Sequence, residues 1–294
     1  MTSDTPNSYY NTEGVSAFRD ILALSAVVYA RTRRSHGRPS ELSHTNSFQF
    51  YPWMVDRITD EVVLSNAAQL HIHQLDRFSG QTFPEQPRVS ISRYDLDEPL
   101  LDELLRRWSI RFSSTTPEWK DRALFRSLNM ANDAARVPSS TATVIYDVGR
   151  SLALWVSAYE ILVHPGGAGI SDFHKVSAMF DQLNWRSKKL KTECYLVNRK
   201  DRIFAVWLYK LIYDLRNNFL HGNEIKSDDL AIRGRPIIDY AACLYRLLLT
   251  AFLRLDTPIE VDTDSQHNWF RSRLGPHRFQ LAYEDALLTS GALK

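Results

Sequence analysis

The stretch LYKLIYDLRNNFLHG, residues 208–222, carries a clear amphipathic helical pattern that ends in a cluster of polar side chains. At about 100° per residue, its apolar side chains share one face and its polar side chains the other. The apolar face contains Leu208, Leu211, Ile212, Leu215 and Phe219. Gly222 is typical of a left-handed residue that caps a helix C-terminus. The pattern therefore predicts a core helix of about 199–221 that ends at His221.

Arg216 departs from the amphipathic pattern of this helix, because it is charged and lies at the margin of the apolar face. A guanidinium group in such a place needs a carboxylate, a phosphate or water. The internal candidate is Glu160, an isolated acid within the apolar stretch LALWVSAYEILV, residues 152–163. Two alternatives stay open: a structural Glu160–Arg216 ion pair, or an arginine that binds a ligand.

Asn217 and His221 are four residues apart and stack on one ridge of the polar side, which also carries Tyr213 and Asn218. Arginine binds phosphate through two parallel hydrogen bonds, and histidine exchanges protons near neutral pH. Asparagine can bind a phosphate oxygen or orient an imidazole one turn away. Such groups can cleave RNA without a metal by moving the 2′-hydroxyl proton, stabilising charge on phosphorus and protonating the 5′-oxygen. One motif supplies a single histidine, so separate acid and base roles would need a two-fold dimer.

The rest of the chain predicts a predominantly α fold with a small β-sheet near the N-terminus. The predicted helices cover about 12–33, 117–136, 144–163, 171–184, 199–221, 240–255 and 278–289. A further helix is predicted to begin after Asp97, which would cap it. Three or four strands are predicted within 47–94, from the segments SFQFYPWMV, EVVLSN, QLHIHQL and RVSISRY, and the intervening SGQ and PEQP predict turns. RSKKLKTE, residues 186–193, predicts a basic loop. We expect an N-terminal α+β region (1–138), a helical domain (139–256) and a C-terminal extension (257–294).

Charge and cysteine content argue against a broad nucleic-acid-binding surface, a disulfide framework and a cysteine zinc site. The net charge is only +2, so any contact with nucleic acid would be local. The most basic cluster, RTRRSHGR at 31–38, fits either a solvated helix end or such a contact. Two cysteines, Cys194 and Cys243, form no disulfide framework or zinc pattern, and we expect reduced thiols in a cytoplasmic protein.

No cofactor or metal site is expected from the sequence. His71 and His73 share a strand face but lack an evident third ligand. HPGGAG, residues 164–169, lacks the lysine of a phosphate-binding loop. The longest apolar runs fall short of the roughly 20 residues that span a bilayer, so no membrane partner is expected.

RNNFLH resembles the R-x(4–6)-H motif of HEPN domains, with Arg216 and His221 as its ends. LALWVSAYEILV with Glu160 is similar to the first core helix of the Apea-like HEPN branch. LYKLIYDLRNNFLHG is similar to its motif helix, and YAACLYRLLLTAFLRL, residues 240–255, to its closing helix. The resemblance covers roughly 144–255.

This resemblance implies a HEPN helical bundle that forms a homodimer through the motif helices. It also implies a metal-independent endoribonuclease, of a kind often found in phage defence or toxin systems, that cleaves RNA such as tRNA. Arg216 and His221 would be catalytic, with Asn217 as the polar residue beside the arginine. Glu160, Asn218 and Tyr213 would support the site. Residues 1–138 would then sense a phage or regulatory trigger protein. The alternative is a non-catalytic interaction or nucleotide-binding HEPN module, in which Glu160–Arg216 is structural.

Overall fold

A computed structural model describes residues 12–37, 42–48, 53–56, 58–59, 61–64, 78–81, 90–114, 116–137, 144–257 and 278–289. This part of the chain is predominantly helical, as predicted. Its α-helices are α1 (Thr12–Ser35), α2 (Glu98–Ser113), α3 (Trp119–Ala134), α4 (Val144–Val163), α5 (Phe173–Asp181), α6 (Lys188–Thr192), α7 (Phe204–His221), α8 (Ile237–Leu253) and α9 (278–288). None of these helices is long and apolar enough to cross a membrane.

The described strands form three small antiparallel units. In the first, β1 (Trp53–Asp56) lies between β2 (Glu61–Leu64) and β3 (Phe78–Gln81). The second is a hairpin of β4 (Cys194–Val197) and β5 (Lys200–Ile203), and the third pairs β6 (Ala231–Ile232) with β7 (Arg235–Pro236). The first unit confirms a small sheet in the N-terminal region.

Several local predictions are confirmed by the helix ends. The Asp97 carboxylate accepts a hydrogen bond from the backbone N–H of Leu100 at 3.2 Å, so it caps α2. Helix α4 has the predicted bounds within the described residues, and α9 lies within one residue of its predicted range. The strand QLHIHQL, with His71 and His73, lies outside the described residues.

Other local predictions are wrong. The tripeptide SGQ belongs to β3 and is not a turn. The described part of RVSISRY contains no strand, because both the backbone N–H and the hydroxyl of Ser92 donate to Asp95 and close a 3₁₀ turn at Arg93–Asp95. The basic loop contains α6, whose N-terminus is capped by Ser187.

Helix α7 begins at Phe204 and not near residue 199. Residues 200–203 instead pair with β4 through a tight turn at Asn198 and Arg199. Both turn residues have positive φ values, of 50° and 65°, as a two-residue type I′ hairpin requires.

A single apolar core runs through α1, α3, α4, α7 and α8. Ser127 on α3 joins two neighbouring helices, because its hydroxyl donates to the Ala158 carbonyl at 2.7 Å and lies 2.7 Å from the Tyr245 hydroxyl. On α1, the Thr32 hydroxyl lies 3.4 Å from the thiol of buried Cys243 on α8. Helices on both sides of residue 138 therefore share this core.

Helices α4 and α7 run antiparallel, which positions the candidate site. The rings of Tyr159 and Tyr209 meet with centroids 5.1 Å apart, while Gly149 lies against Phe219 at the other end of the contact. Glycine is required there, since a Cβ atom at Gly149 would lie 2.7 Å from Cγ of Phe219. The C-terminal end of α7 thus lies beside the N-terminal half of α4.

Candidate active site

The C-terminal end of α7 is closed by a glycine cap, as the sequence predicts. Gly222 has a φ of 71°, in the left-handed region. The backbone N–H of Asn223 donates to the Asn218 carbonyl at 2.9 Å, and the Asn223 side-chain amide donates to Oδ1 of Asn218 at 3.1 Å. This arrangement fixes the last turn of α7, with His221 as its final residue.

The predicted contact between Arg216 and Glu160 is present. Nη2 of Arg216 donates to Oε1 of Glu160 at 3.1 Å, and the two side chains are 18% and 20% exposed. Nη1 donates to Oδ1 of Asn217 at 3.1 Å, and the guanidinium carbon lies 4.9 Å from the ring centroid of Tyr213. Three neighbours therefore fix the guanidinium group at the edge of the core, where water still reaches it.

The environment of Glu160 disfavours its charged form. Burial is the largest cause and raises the pKa of Glu160 above its ordinary value, whereas Arg216 lowers it and Asp172 raises it further. Asp172 is held nearby because its carboxylate caps α5, accepting from the backbone N–H of Lys175 at 3.0 Å. Asp172 thus adds a second negative charge near Glu160.

Tyr209 completes the buried side of this cluster. Its hydroxyl is buried without a hydrogen-bond partner among the described residues. Burial, followed by the charge on Glu160, raises the pKa of Tyr209 well above its ordinary value. The Tyr209 ring stacks on Phe173 of α5, with centroids 5.7 Å apart, so α5 closes the cluster from one side.

His221 lies apart from this cluster and is exposed. It is five residues beyond Arg216, which corresponds to about 7–8 Å along the helix axis. Within the described part of the chain, its imidazole makes no hydrogen bond or ion pair. Asn217 binds Arg216 and does not orient the imidazole, so the predicted pairing of Asn217 with His221 is absent from a single chain. Leu220, beside His221, is 62% exposed.

The structure therefore gathers four of the six predicted site residues into one cluster: Glu160, Tyr213, Arg216 and Asn217. Asn218 stabilises the cap, and His221 stands free at the helix end. Sequence reasoning missed Asp172 and Tyr209. The signal for Asp172 was its position directly before a helix, where aspartate commonly caps. No sequence signal shows that this cap lies near Glu160.

No group of three or more histidine, cysteine, aspartate or glutamate side chains suited to a metal ion occurs among the residues with described positions. The arrangement offers one oriented guanidinium and one exposed imidazole on the same helix. No protein-family model matches the chain, and searches of curated proteins and of solved structures found no significant match.

Proposed function

We propose that the protein is a HEPN-type, metal-independent endoribonuclease, acting on RNA such as tRNA as a cytoplasmic toxin or anti-phage effector. The observation that supports the chemistry is that an oriented, partly exposed Arg216 and a free His221 lie near the C-terminal end of the same helix. The resemblance of residues 144–255 to HEPN domains supports the choice of reaction and of biological role.

Arg216 is suited to phosphate recognition. Glu160 and Asn217 each accept one of its hydrogen bonds, which leaves further N–H groups for a phosphate oxygen. A fixed guanidinium stabilises the charge that develops on phosphorus without reorganising during the reaction. Asn217 and Tyr213 hold its orientation, which corresponds to the supporting role predicted for Tyr213.

His221 supplies proton transfer. A neutral imidazole removes the 2′-hydroxyl proton, and the resulting 2′-oxygen attacks phosphorus. The bond from phosphorus to the 5′-oxygen breaks, and an imidazolium donates the proton that the leaving oxygen needs. The products are a 2′,3′-cyclic phosphate and a 5′-hydroxyl. Two histidines in opposite protonation states perform both transfers, and a two-fold homodimer across the α7 ends provides them.

The second candidate function is a non-catalytic interaction module. The direct Arg216–Glu160 contact favours it, because an ion pair between two core helices has a structural use without any substrate. In that case Arg216→Ala lowers the free energy of unfolding by about 1–3 kcal/mol, between the values typical of exposed and of fully buried pairs. His221→Ala then leaves every property unchanged.

One experiment separates the two functions. Purified wild type, His221→Ala and Arg216→Ala are incubated with total RNA or tRNA in EDTA, and thermal melts are recorded for each. The nuclease proposal predicts that wild type cleaves and that His221→Ala loses about 100-fold or more in rate while melting normally. The matched control is His36→Ala, another exposed histidine next to a helix C-terminus, which should cleave like wild type. Equal cleavage by wild type and His221→Ala, or a strict metal requirement, contradicts the proposal.

A further inference from the structure

A cavity of about 530 Å³ lies where the end of α1 meets α3, the N-terminal half of α4 and the start of α8. It is separate from the cluster of Glu160, Tyr213, Arg216 and Asn217, which we call the α7 cluster. Four arginines line it: Arg31, Arg34, Arg136 and Arg150. Three aspartates, Asp133, Asp147 and Asp239, contribute opposite charge. Two of the arginines belong to the basic cluster RTRRSHGR, which the proposed nuclease does not use.

Arg31 is the unusual member of this lining, because it is only 7% exposed and has no carboxylate at salt-bridge distance within the described ranges. Its Nε donates to the Ser43 carbonyl at 2.8 Å and its Nη2 to the Ala135 carbonyl at 3.1 Å. Burial lowers the pKa of Arg31 to about 10, and the charge of Asp239 opposes that effect only in part. A buried guanidinium bound to neutral carbonyls still lacks a counter-charge.

Other polar groups of the cavity are also without partners. The side chain of Arg34 makes no hydrogen bond or ion pair to any residue whose position is described. The Nδ1 atom of His44 is buried and has no hydrogen-bond partner among the same residues. Arg136 forms an exposed pair with Asp133 at 3.1 Å, and exposed pairs of this kind exchange partners at little cost. Arg150 pairs with the buried carboxylate of Asp147 at 2.9 Å through one N–H group, and its other N–H groups can bind a ligand without breaking that pair.

The cavity also has apolar walls. Val148 and Leu154 of α4 and Ile238 of α8 line it beside the arginines. Its volume falls within the range of about 300–1,000 Å³ that is typical of small-molecule sites.

We propose that this cavity binds a phosphate monoester of a small organic molecule, with the phosphate on Arg31 and Arg34 and the organic body against the apolar wall. A dianionic phosphate supplies the counter-charge that Arg31 lacks, and guanidinium groups match its oxygens in paired hydrogen bonds. Arg150 reaches the same ligand from α4. The site is separate from the α7 cluster, and the inference does not depend on the proposed nuclease activity.

The test is binding to the full-length protein in phosphate-free buffer, followed by thermal melts and by calorimetry. The probes are AMP, glucose 6-phosphate, adenosine, inorganic phosphate and a short single-stranded RNA. We expect AMP, glucose 6-phosphate or both to raise the melting temperature, and the stronger of the two identifies the source of the monoester. Arg34→Ala and Arg150→Ala should each weaken that binding about tenfold. The control is Arg202→Ala, which removes another partly exposed arginine, located on β5.

Four ligand responses overturn the proposal. They are no response to either monoester, an equal response to adenosine, a response to inorganic phosphate as large as that to the esters, and Arg34-dependent binding of RNA alone. Equal affinity of the arginine variants and wild type for the monoester would also overturn it, because binding would then occur elsewhere. Since RNA cleavage by His221 is scored in a different assay, either proposal can fail without the other.

Discussion

Arg216 and Glu160 show how far a single side chain can be predicted from sequence alone. Glu160 is an isolated charge on an apolar helix and Arg216 lies at the margin of the apolar face of α7. The cost of burying an unpaired charge makes their contact one of the two solutions that the sequence leaves open. The structure has that contact at 3.1 Å. The partner of Asn217 was not predictable in the same way. Helical spacing allows it to face His221, while its contact with the adjacent Arg216 depends on rotamers that sequence does not encode.

The raised pKa of Glu160 makes a prediction at the scale of one residue. A carboxyl group whose pKa is higher in the folded state than its ordinary 4.5 stabilises the fold most below pH 4.5. That contribution is lost as the pH rises through the folded-state pKa. Glu160→Gln resembles the protonated side chain at every pH. We therefore expect Glu160→Gln and wild type to unfold alike near pH 4, and Glu160→Gln to be more stable at pH 7.

Urea unfolding between pH 4 and pH 7.5 measures this difference. A matched variant tests the cause: Asp172→Asn keeps the cap of α5, because asparagine caps as well as aspartate, and removes the like charge near Glu160. In that background the gain from Glu160→Gln should shrink. A gain that is the same at every pH would show that the carboxyl group does not titrate as inferred.

At the scale of secondary-structure elements, hydrophobic periodicity predicted the residue ranges of several long helices but was misleading for the short strands. Helices α1, α4, α8 and α9 lie close to their predicted ranges, because each presents an apolar stripe to one core. The hairpin of β4 and β5 was missed, since its second strand, KDRI, is mostly polar and reads as the start of α7. Its turn at Asn198 and Arg199 requires two residues in the left-handed conformation, and the presence of an arginine does not predict that conformation.

The contact between α4 and α7 depends on Gly149. In a helix with open space, glycine to alanine stabilises a protein by about 0.4–1 kcal/mol. Here the new methyl group would lie 2.7 Å from Cγ of Phe219, so the helices would have to separate or the ring to move. We expect Gly149→Ala to lower the free energy of unfolding by about 1–3 kcal/mol, which is the usual cost of overpacking. Chemical denaturation followed by circular dichroism measures it.

The double variant Gly149→Ala with Phe219→Ala is the control, because alanine lacks the Cγ and ring atoms that the methyl group would meet. It should recover part of the loss relative to the sum of the two single variants. If the losses simply add, the close approach of Gly149 to Phe219 does not limit the packing of these helices. Phe219 lies between Asn218 and Leu220, so the same variants also test whether the end of α7 must sit tightly on α4.

At the scale of the whole molecule, the division at residue 138 remains a prediction about domains, while the described core continues across it. The buried Asp97 carboxylate connects distant parts of the chain. It accepts from Nε and Nη2 of Arg246 on α8, at 2.6 and 3.1 Å, and from the hydroxyl of Tyr283 on α9, at 2.8 Å. The sequence predicts only that Asp97 caps a helix, because a cap is a local pattern whereas this ion pair joins residues 149 positions apart.

Asp97→Ala is therefore expected to destabilise all three regions together. Asp97 and Arg246 are 0% and 1% exposed, and removing one partner of such a pair costs about 3–5 kcal/mol because the other charge stays buried alone. Hydrogen exchange of peptides from α2, α8 and α9 should rise in parallel, since one carboxylate links these helices. The double variant Asp97→Ala with Arg246→Met removes the orphaned charge and should be more stable than Asp97→Ala alone. Faster exchange confined to α2 would instead mean that Asp97 serves only as a helix cap, and that the N-terminal region unfolds independently of the helices after residue 138.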